Sequence, residues 1–391
     1  MTRTDFPQCA VADLLDGYGT DGSFFFSSPR GVMLAVGEAA AAVDGSVDLP
    51  GRVSEVLAGV GGAVAEPVVV GAVPFAPGAS ARLVVPMVVR RAGPVGAAGL
   101  ASLAQGFGVG AARVVAVPEP DRYVAAVERA VAMARAGAVD KVVLARCLQV
   151  EADRPVDVGS LLRVLAWRDP AGYTYAVDLP GGATLVGASP ELLVSRFGSR
   201  VVANPMAGSR PRAVDPVEDR RRAAGLQVSV KDRREHAFVV EAVVQALRPY
   251  LGRLRVGPPT VVPTAAMWHL SSRVEGEVVD RSVSALQLAM ALHPTPAVCG
   301  TPVEVARAVI AELEPFDRGF YTGMVGWVDA GGDGEWVVGI RCARVAGRSV
   351  RLYAGAGVVA ESVAVAELAE TSAKFRTMLT ALGLAGGDVD G

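Results

Sequence analysis

Lysine is almost missing from this chain of 391 residues: Lys141, Lys231 and Lys374 are alone among 38 Lys and Arg residues. Arginine fills nearly every position that needs only a positive charge. Arginine keeps its proton, whereas lysine can give it up when its pKa is depressed. Each lysine is therefore a candidate for chemistry that arginine cannot do, with a genomic bias as the plain alternative. Histidine is equally sparse, at His236, His269 and His293, and a lone histidine is more often structural. The four cysteines, Cys9, Cys147, Cys299 and Cys342, contain no C-x-x-C pair. That excludes a zinc frame and a disulfide scaffold, and points to free thiols in a reducing compartment. Apolar runs such as 83–89 are too short to span a bilayer. The opening MTRTDFPQCAVADLL has no basic region followed by an apolar run, so no signal peptide is expected and the expected location is cytoplasmic. A net charge of −2 argues against nucleic acid or an anionic membrane as partner. What the chain does have is apolar content of 51%, enough for a large core. The length allows two or three domains, or one large one.

The stretch 292–344 organises the rest. His293-Pro294-Thr295-Pro296 is a rigid turn, and Pro302 suits the first turn of a helix running to Leu313. Two strands are predicted at 321–328 and 335–345, joined by the Asp329-Ala-Gly-Gly-Asp-Gly334 hairpin signal. In the second strand Trp336, Val338, Ile340 and Cys342 share the core face by alternation. Arg341 points the other way between Gly339 and Ala343, with room above it for a carboxylate or simply for solvent.

Elsewhere the pattern predicts strands at 24–26 and 82–90, with turns at Gly61-Gly62, 74–78 and 91–94. Gly106-Phe-Gly-Val-Gly110 lacks the lysine of a phosphate loop. A helix from Asp121 to near Gly137 has Tyr123, Val127, Ala130, Val131 and Met133 at helical spacing. Lys141 opens a strand to Arg146, either reaching a site or lying on an exposed edge. Strands at 173–177 and 184–187 pair around Pro180-Gly-Gly182, and Glu191 sits at a turn entering a further strand. The segment 204–212 reads as an irregular loop whose N–H groups can approach an oxyanion. The charge run 215–222 reads as a solvated face. A helix from Val230 to Leu247 has Phe238, Val239, Ala242, Val243 and Leu247 as its buried stripe, with Asp232 and Glu235 on one face at its start. A strand at 351–359 carries Gly355-Ala356-Gly357. A last helix presents Glu367, Glu370 and Lys374 on one face. Either Asp232 and Glu235 simply suit the dipole at their helix start and Glu370–Lys374 is an ordinary surface pair, or the four acids meet to hold an oxygen-liganded cation such as Mg²⁺.

Taken together, the blocks VDKVVLAR, GASPELLV, NPMAGSRPR, KDRREHAFVVEAV, MWHLSSRVEG, LHPTPAVCGTP, EPFDRGFYTGMVGW, GDGEWVVGIRCA, LYAGAGVV and ELAETSAKF resemble the chorismate-utilising enzymes, the group of anthranilate, aminodeoxychorismate, salicylate and isochorismate synthases. The resemblance runs from about Tyr123 to Leu384 and is loose over residues 1–110. It implies one large α+β chorismate-binding domain over 1–391, with antiparallel sheets packed face to face, helices outside and the motif-bearing core at 121–384. Ala207 stands where aminodeoxychorismate synthases carry a nucleophilic lysine. HPTPAVCGTP and GDGEWVVGIRCA look like isochorismate synthases of the branch feeding 2,3-dihydroxybenzoate siderophores. Tyr321 is shared with salicylate synthases.

The resemblance implies a role for each site residue. Lys141 is the base activating water for attack at C2 of chorismate, and Glu191 the acid protonating the departing C4 hydroxyl. Mg²⁺ holds the ring carboxylate through Glu235 and Glu370, with Asp232 and Glu367 supporting it through water. Arg341 and Lys374 bind the enolpyruvyl carboxylate beside backbone N–H groups of Gly355, Ala356 and Gly357. Gly208, Ser209, His269, Ala297 and Tyr321 line the ring site. The partners implied are chorismate and isochorismate, with a monomer expected. The competing readings are a salicylate synthase, an ammonia-dependent aminodeoxyisochorismate synthase and an inactive chorismate-binding protein. The absence of a fused glutamine amidotransferase in these residues weighs against the ammonia-dependent one.

Overall fold

The computed structural model describes residues 10–20, 22–41, 48–60, 66–96 and 107–384. Cys9, the Gly61-Gly62 turn and Gly106 lie outside them. The architecture is α+β. A sheet of ten strands and a sheet of nine pack face to face, and a third sheet of three lies beside them. Every described pairing is antiparallel. Between the large sheets, Phe24, Phe26 and Tyr175 from one meet Val70, Val325 and Trp327 from the other. Helices close the outer faces. Val158–Arg168 and Ala364–Ala381 cover the first sheet, and Val230–Leu247 and Ala285–Leu292 cover the second. Strands from the first 110 residues enter both sheets, with Ser23–Ser28 and Gly31–Val36 in one and Val68–Val73 and Arg82–Val85 in the other.

Two places where the chain leaves one sheet for the other make the site. Strand Ala183–Ser189 belongs to the ten-stranded sheet, and after Pro190 and Glu191 the chain enters Leu192–Phe197 in the nine-stranded one. Strand Gly334–Val338 belongs to the nine-stranded sheet, and after 339–341 the chain enters Cys342–Ala346 in the ten-stranded one. The crossovers run side by side, because Ala183–Ser189 pairs with Cys342–Ala346 and Leu192–Phe197 with Gly334–Val338. They are tied by Val338 N–H to Glu191 O at 3.1 Å and Ala188 N–H to Arg341 O at 3.0 Å. Arg341 adopts φ +50°, a left-handed conformation rare outside glycine. A Cβ on Gly339 would come within 2.7 Å of Phe320 O, so no side chain fits at that step.

This overturns the continuous strand expected over 335–345. Trp336 and Val338 face the helix-covered side of their sheet, whereas Cys342 faces the space between the sheets. Other expectations are also corrected. The strand expected from Tyr321 begins at Met324, and the one expected at 82–90 is two strands in different sheets, parted at Pro86. Residues 204–212 are not an irregular loop: Met206–Pro211 pairs with Met267–Ser271 through a register shift between Met206 and Ser209, where Gly208 takes φ +77°. The charge run at 215–222 is not merely solvated. It starts the helix Pro216–Val228, and Asp219 is buried there, accepting from Arg212 and from Trp268 Nε1 at 2.9 Å. In Val230–Leu247 the buried stripe contains His236 instead of Phe238, which is exposed. The helix boundaries follow local chemistry: Ser229 Oγ accepts the Asp232 N–H at 3.3 Å as an N-cap, and Pro120 occupies the first turn of Pro120–Arg135.

Candidate active site

A cleft of about 700 Å³ opens between the crossovers, the three-stranded sheet and the helices Val230–Leu247 and Ala364–Ala381. Of the residues singled out above, Glu191, Gly208, Ser209, Glu235, His269, Ala297, Tyr321, Arg341, Gly355, Gly357, Glu370 and Lys374 line it. Lys141, Asp232, Ala356 and Glu367 do not. Ala356 alternates with the two glycines on its strand, so its side chain lies on the other face. Lys141, also buried, reaches the wall through its partner, its Nζ lying 2.9 Å from Glu235 Oε1.

Glu191 is buried at the first crossover. Burial pushes its carboxyl up to about 7, against the opposing pull of the Met206 N–H and the charges of Lys141, Arg341 and Lys374. A carboxyl so placed can carry a proton near neutral pH. Arg341 stands on the second crossover. Among the described residues its guanidinium has one hydrogen bond, to His269 Nε2 at 3.4 Å. Burial, followed by the Arg341 and Lys374 charges, holds His269 well below its ordinary pKa, so the imidazole is neutral and its Nε2 accepts. That leaves guanidinium N–H groups facing the cleft, suited to a carboxylate.

The helical side carries the acids. Lys374 Nζ donates to Gly355 O at 2.7 Å and pairs with Glu370 at 2.7 Å. The Gly355 carbonyl thus faces a cation. Ser209 Oγ donates to Glu370 Oε1 at 2.9 Å. Burial opposes ionisation of Glu370, but the Lys374 ammonium and the Ser209 hydroxyl outweigh it and hold the carboxyl below its usual value. Asp232 pairs with Arg210 at 3.5 Å and Glu367 with Lys231 at 3.4 Å. The glycines leave the acids room: a Cβ on Gly357 would come within 2.6 Å of Glu235 Oε1, and one on Gly208, which adopts φ +77°, within 3.0 Å of Asp232 Cβ.

Among the described residues no three His, Cys, Asp or Glu side chains converge as a ready-made metal cluster. The donor chemistry nonetheless fits a hard cation. Glu235 and Glu370 both reach the wall. Burial and then the neighbouring charges of Glu370 and Glu235 raise the pKa of Glu367, a mutual repulsion that a divalent cation relieves. Two protein carboxylates with water and substrate completing the shell is an ordinary arrangement for Mg²⁺.

Several lining residues escaped the sequence reading, notably Val143, Thr322 and Tyr353. Tyr353 stacks on Tyr321 at 4.9 Å between centroids. Behind them Glu314 and Arg318 form a buried pair. Their i, i+4 spacing within EPFDR was the available signal.

Residues 110–383 match the family model described as "Chorismate binding enzyme". The chain is 51% identical over 376 residues to the isochorismate synthase DhbC of Bacillus subtilis, covering 93% of this chain and 94% of that one. It is 41% identical over 325 residues to the isochorismate synthase EntC of Escherichia coli, covering 82% of each. Among solved structures, a Bacillus anthracis DhbC described as a 2,3-dihydroxybenzoate-specific isochorismate synthase superposes with a TM-score of 0.90 at 48% identity, covering 95% of this chain and 99% of that one. The anthranilate synthase component I of Streptococcus pneumoniae, at 21% identity and a TM-score of 0.73 over 89% of this chain and 92% of that one, shares the fold. The chain belongs to the chorismate-binding enzyme family.

Proposed function

We propose that this protein interconverts chorismate and isochorismate, and that it serves the branch leading to 2,3-dihydroxybenzoate. The observation that carries the reading is Glu191, a buried carboxyl raised to about 7 in the same cleft as Glu235, the partner of Lys141, and the under-bonded Arg341. The two DhbC proteins, from Bacillus subtilis and Bacillus anthracis, support the choice of branch.

The chemistry follows from the residues. Lys141 is the base that takes a proton from the water attacking C2. Glu191 gives its proton to the hydroxyl leaving C4, and the ring double bonds shift between. One proton is taken as one is given, so the step exchanges no net proton with solvent. Arg341 and Lys374 hold the enolpyruvyl carboxylate, and neutral His269 keeps the Arg341 fork in place. Glu235 and Glu370 would hold Mg²⁺, with Asp232 and Glu367 outside them. When bound, the ion neutralises and orients the ring carboxylate. Ala207 leaves no amine nucleophile in the strand beside the ring, so water is the nucleophile.

The test is product analysis. Chorismate with Mg²⁺, and isochorismate with Mg²⁺, should reach the same mixture, and EDTA should stop both reactions. Stoichiometric pyruvate with salicylate as the main product would overturn the reading in favour of a salicylate synthase. Tight chorismate binding without turnover would leave only a binding protein.

A further inference from the structure

The Glu314–Arg318 pair takes no part in the chemistry above, yet it contacts four residues of the cleft wall from behind, Val143, Val298, Tyr321 and Thr322. Both side chains are 2% exposed. Arg318 Nε and Nη2 donate to Glu314 at 2.8 and 2.5 Å, a bidentate fork. The remaining donors go to Val298 O at 2.9 Å, Thr322 Oγ1 at 3.2 Å and Val143 O at 2.7 Å. Those three acceptors belong to three separate segments, and all three residues line the cleft. The guanidinium also lies 5.7 Å from the ring centroid of Tyr321, the ring stacked on Tyr353.

The strand Lys141–Ala152 explains why the pair is there. Its outer edge pairs with Gly300–Thr301 at Lys141 and Val142, and with Ala112–Val117 only from Cys147 onward. Residues 143–146 have no strand on that edge. An unpaired edge buried in protein leaves backbone groups without partners, which is costly. The ion pair supplies them. Arg318 takes the Val143 carbonyl, and Glu314 Oε1 accepts the Ala145 N–H at 2.7 Å. Two side chains do the work of a missing strand, two residues along from Lys141.

We propose that Glu314 and Arg318 are positioning residues. Together they set the wall formed by Val143, Val298, Tyr321 and Thr322, and fix the strand that presents Lys141 to the attacking water. The inference rests on the proposed chorismate–isochorismate reaction for its catalytic meaning. A buried ion pair that merely stabilises the fold is the competing account, and it predicts a lower melting temperature without altered kinetics in the folded enzyme.

Three variants separate them: Arg318→Lys, Glu314→Gln and Glu314→Ala. Each is measured for kcat and KM, for chorismate affinity by calorimetry, for amide exchange over 143–146 and for melting temperature. Arg318→Lys keeps the charge and loses the fork. It should lower kcat by about tenfold, on the scale of a displacement of well under 1 Å, weaken chorismate binding and speed exchange at 143–146 well below its melting temperature. Gln can still accept the Ala145 N–H, so Glu314→Gln should recover much of what Glu314→Ala loses. If Arg318→Lys does not fold, that comparison decides alone. Wild-type kcat, KM and exchange in folded Arg318→Lys, or equal kinetics for the two Glu314 variants, would overturn the proposal. Should the wild type bind chorismate and leave it unchanged, the functional reading fails, and the binding and exchange measurements still decide the positioning role.

Discussion

The two sides of the cleft handle charge by opposite rules. On the helical side each acid has its own base: Asp232 with Arg210, Glu235 with Lys141, Glu367 with Lys231 and Glu370 with Lys374. Two of those bases, Arg210 and Lys231, are 40% and 45% exposed. On the crossover side the charges are buried and sparsely bonded. Glu191 has the Met206 N–H at 3.5 Å, and Arg341 has His269 at 3.4 Å. Pairing holds a charge steady. Burial without pairing leaves it free to be tuned, and free to meet a ligand of complementary shape. Lys141 stands between the two groups, paired like the first and buried like the second.

The sharpest way to break the comparison is at Lys141. Lys141→Arg keeps the ion pair to Glu235 but cannot accept a proton. If Lys141 acts only as a paired charge, turnover survives; as a general base, both Lys141→Arg and Lys141→Ala lose about 10²–10⁴ in kcat. Rapid-quench or coupled assays of isochorismate formation read the difference directly.

Glu191→Gln should cost about a hundredfold in turnover, and its pH behaviour tests the burial argument. Burial raises the folded-state pKa to about 7 from an ordinary 4.5. The protonated form is therefore favoured by folding. That contribution to stability is complete below pH 4.5 and is lost as pH rises through about 7. Melting curves should show Glu191→Gln gaining on the wild type at pH 8 relative to pH 5. In wild-type kinetics kcat/KM should fall as pH climbs past about 7, because the acid is then spent. A carboxyl that behaves like a solvated glutamate in both measurements would erase the contrast between the two sides.

If Arg341 holds a substrate carboxylate as proposed, Arg341→Ala should cost about 2 kcal/mol, or roughly thirtyfold in KM, with a smaller change in kcat. The smallest effect is expected at the rim. Arg210→Ala deletes a half-exposed ion pair and should shift fold stability by about 1 kcal/mol or less, as measured by denaturant unfolding.

Much of the site was legible in the sequence because its residues sit in short blocks whose chemistry is local. A helix beginning at Val230 carries Asp232 and Glu235 on one face by periodicity alone, and 364–381 does the same for Glu367, Glu370 and Lys374. The crossovers were not legible. The run 335–343 is almost wholly buried, so alternation of apolar residues continues across the break and gives no sign of a change of sheet. The strand Met206–Pro211 was hidden for the opposite reason: glycine, serine and proline in it are turn residues by propensity, and only cross-strand pairing with Met267–Ser271 makes it a strand. Phe238 looked buried because helical spacing puts it beside Val239, and tertiary packing gave the inward position to His236. Glu314 and Arg318 were in a recognised block, but the unpaired edge they serve exists only in three dimensions.

The paired crossovers have one more consequence. Glu191 and Arg341 are attached to short backbone spans that stitch two layers together, held to each other by the Val338–Glu191 and Ala188–Arg341 bonds. The layers act as the jaws of a caliper, and the reading between them is the gap that the substrate must fill. Side chains that do not line the cleft, such as Val325 and Val337 in the seam between the sheets, therefore set that gap. Substitutions that thicken or thin the seam are a route to altering which ring the enzyme accepts, without touching a single residue of the cleft.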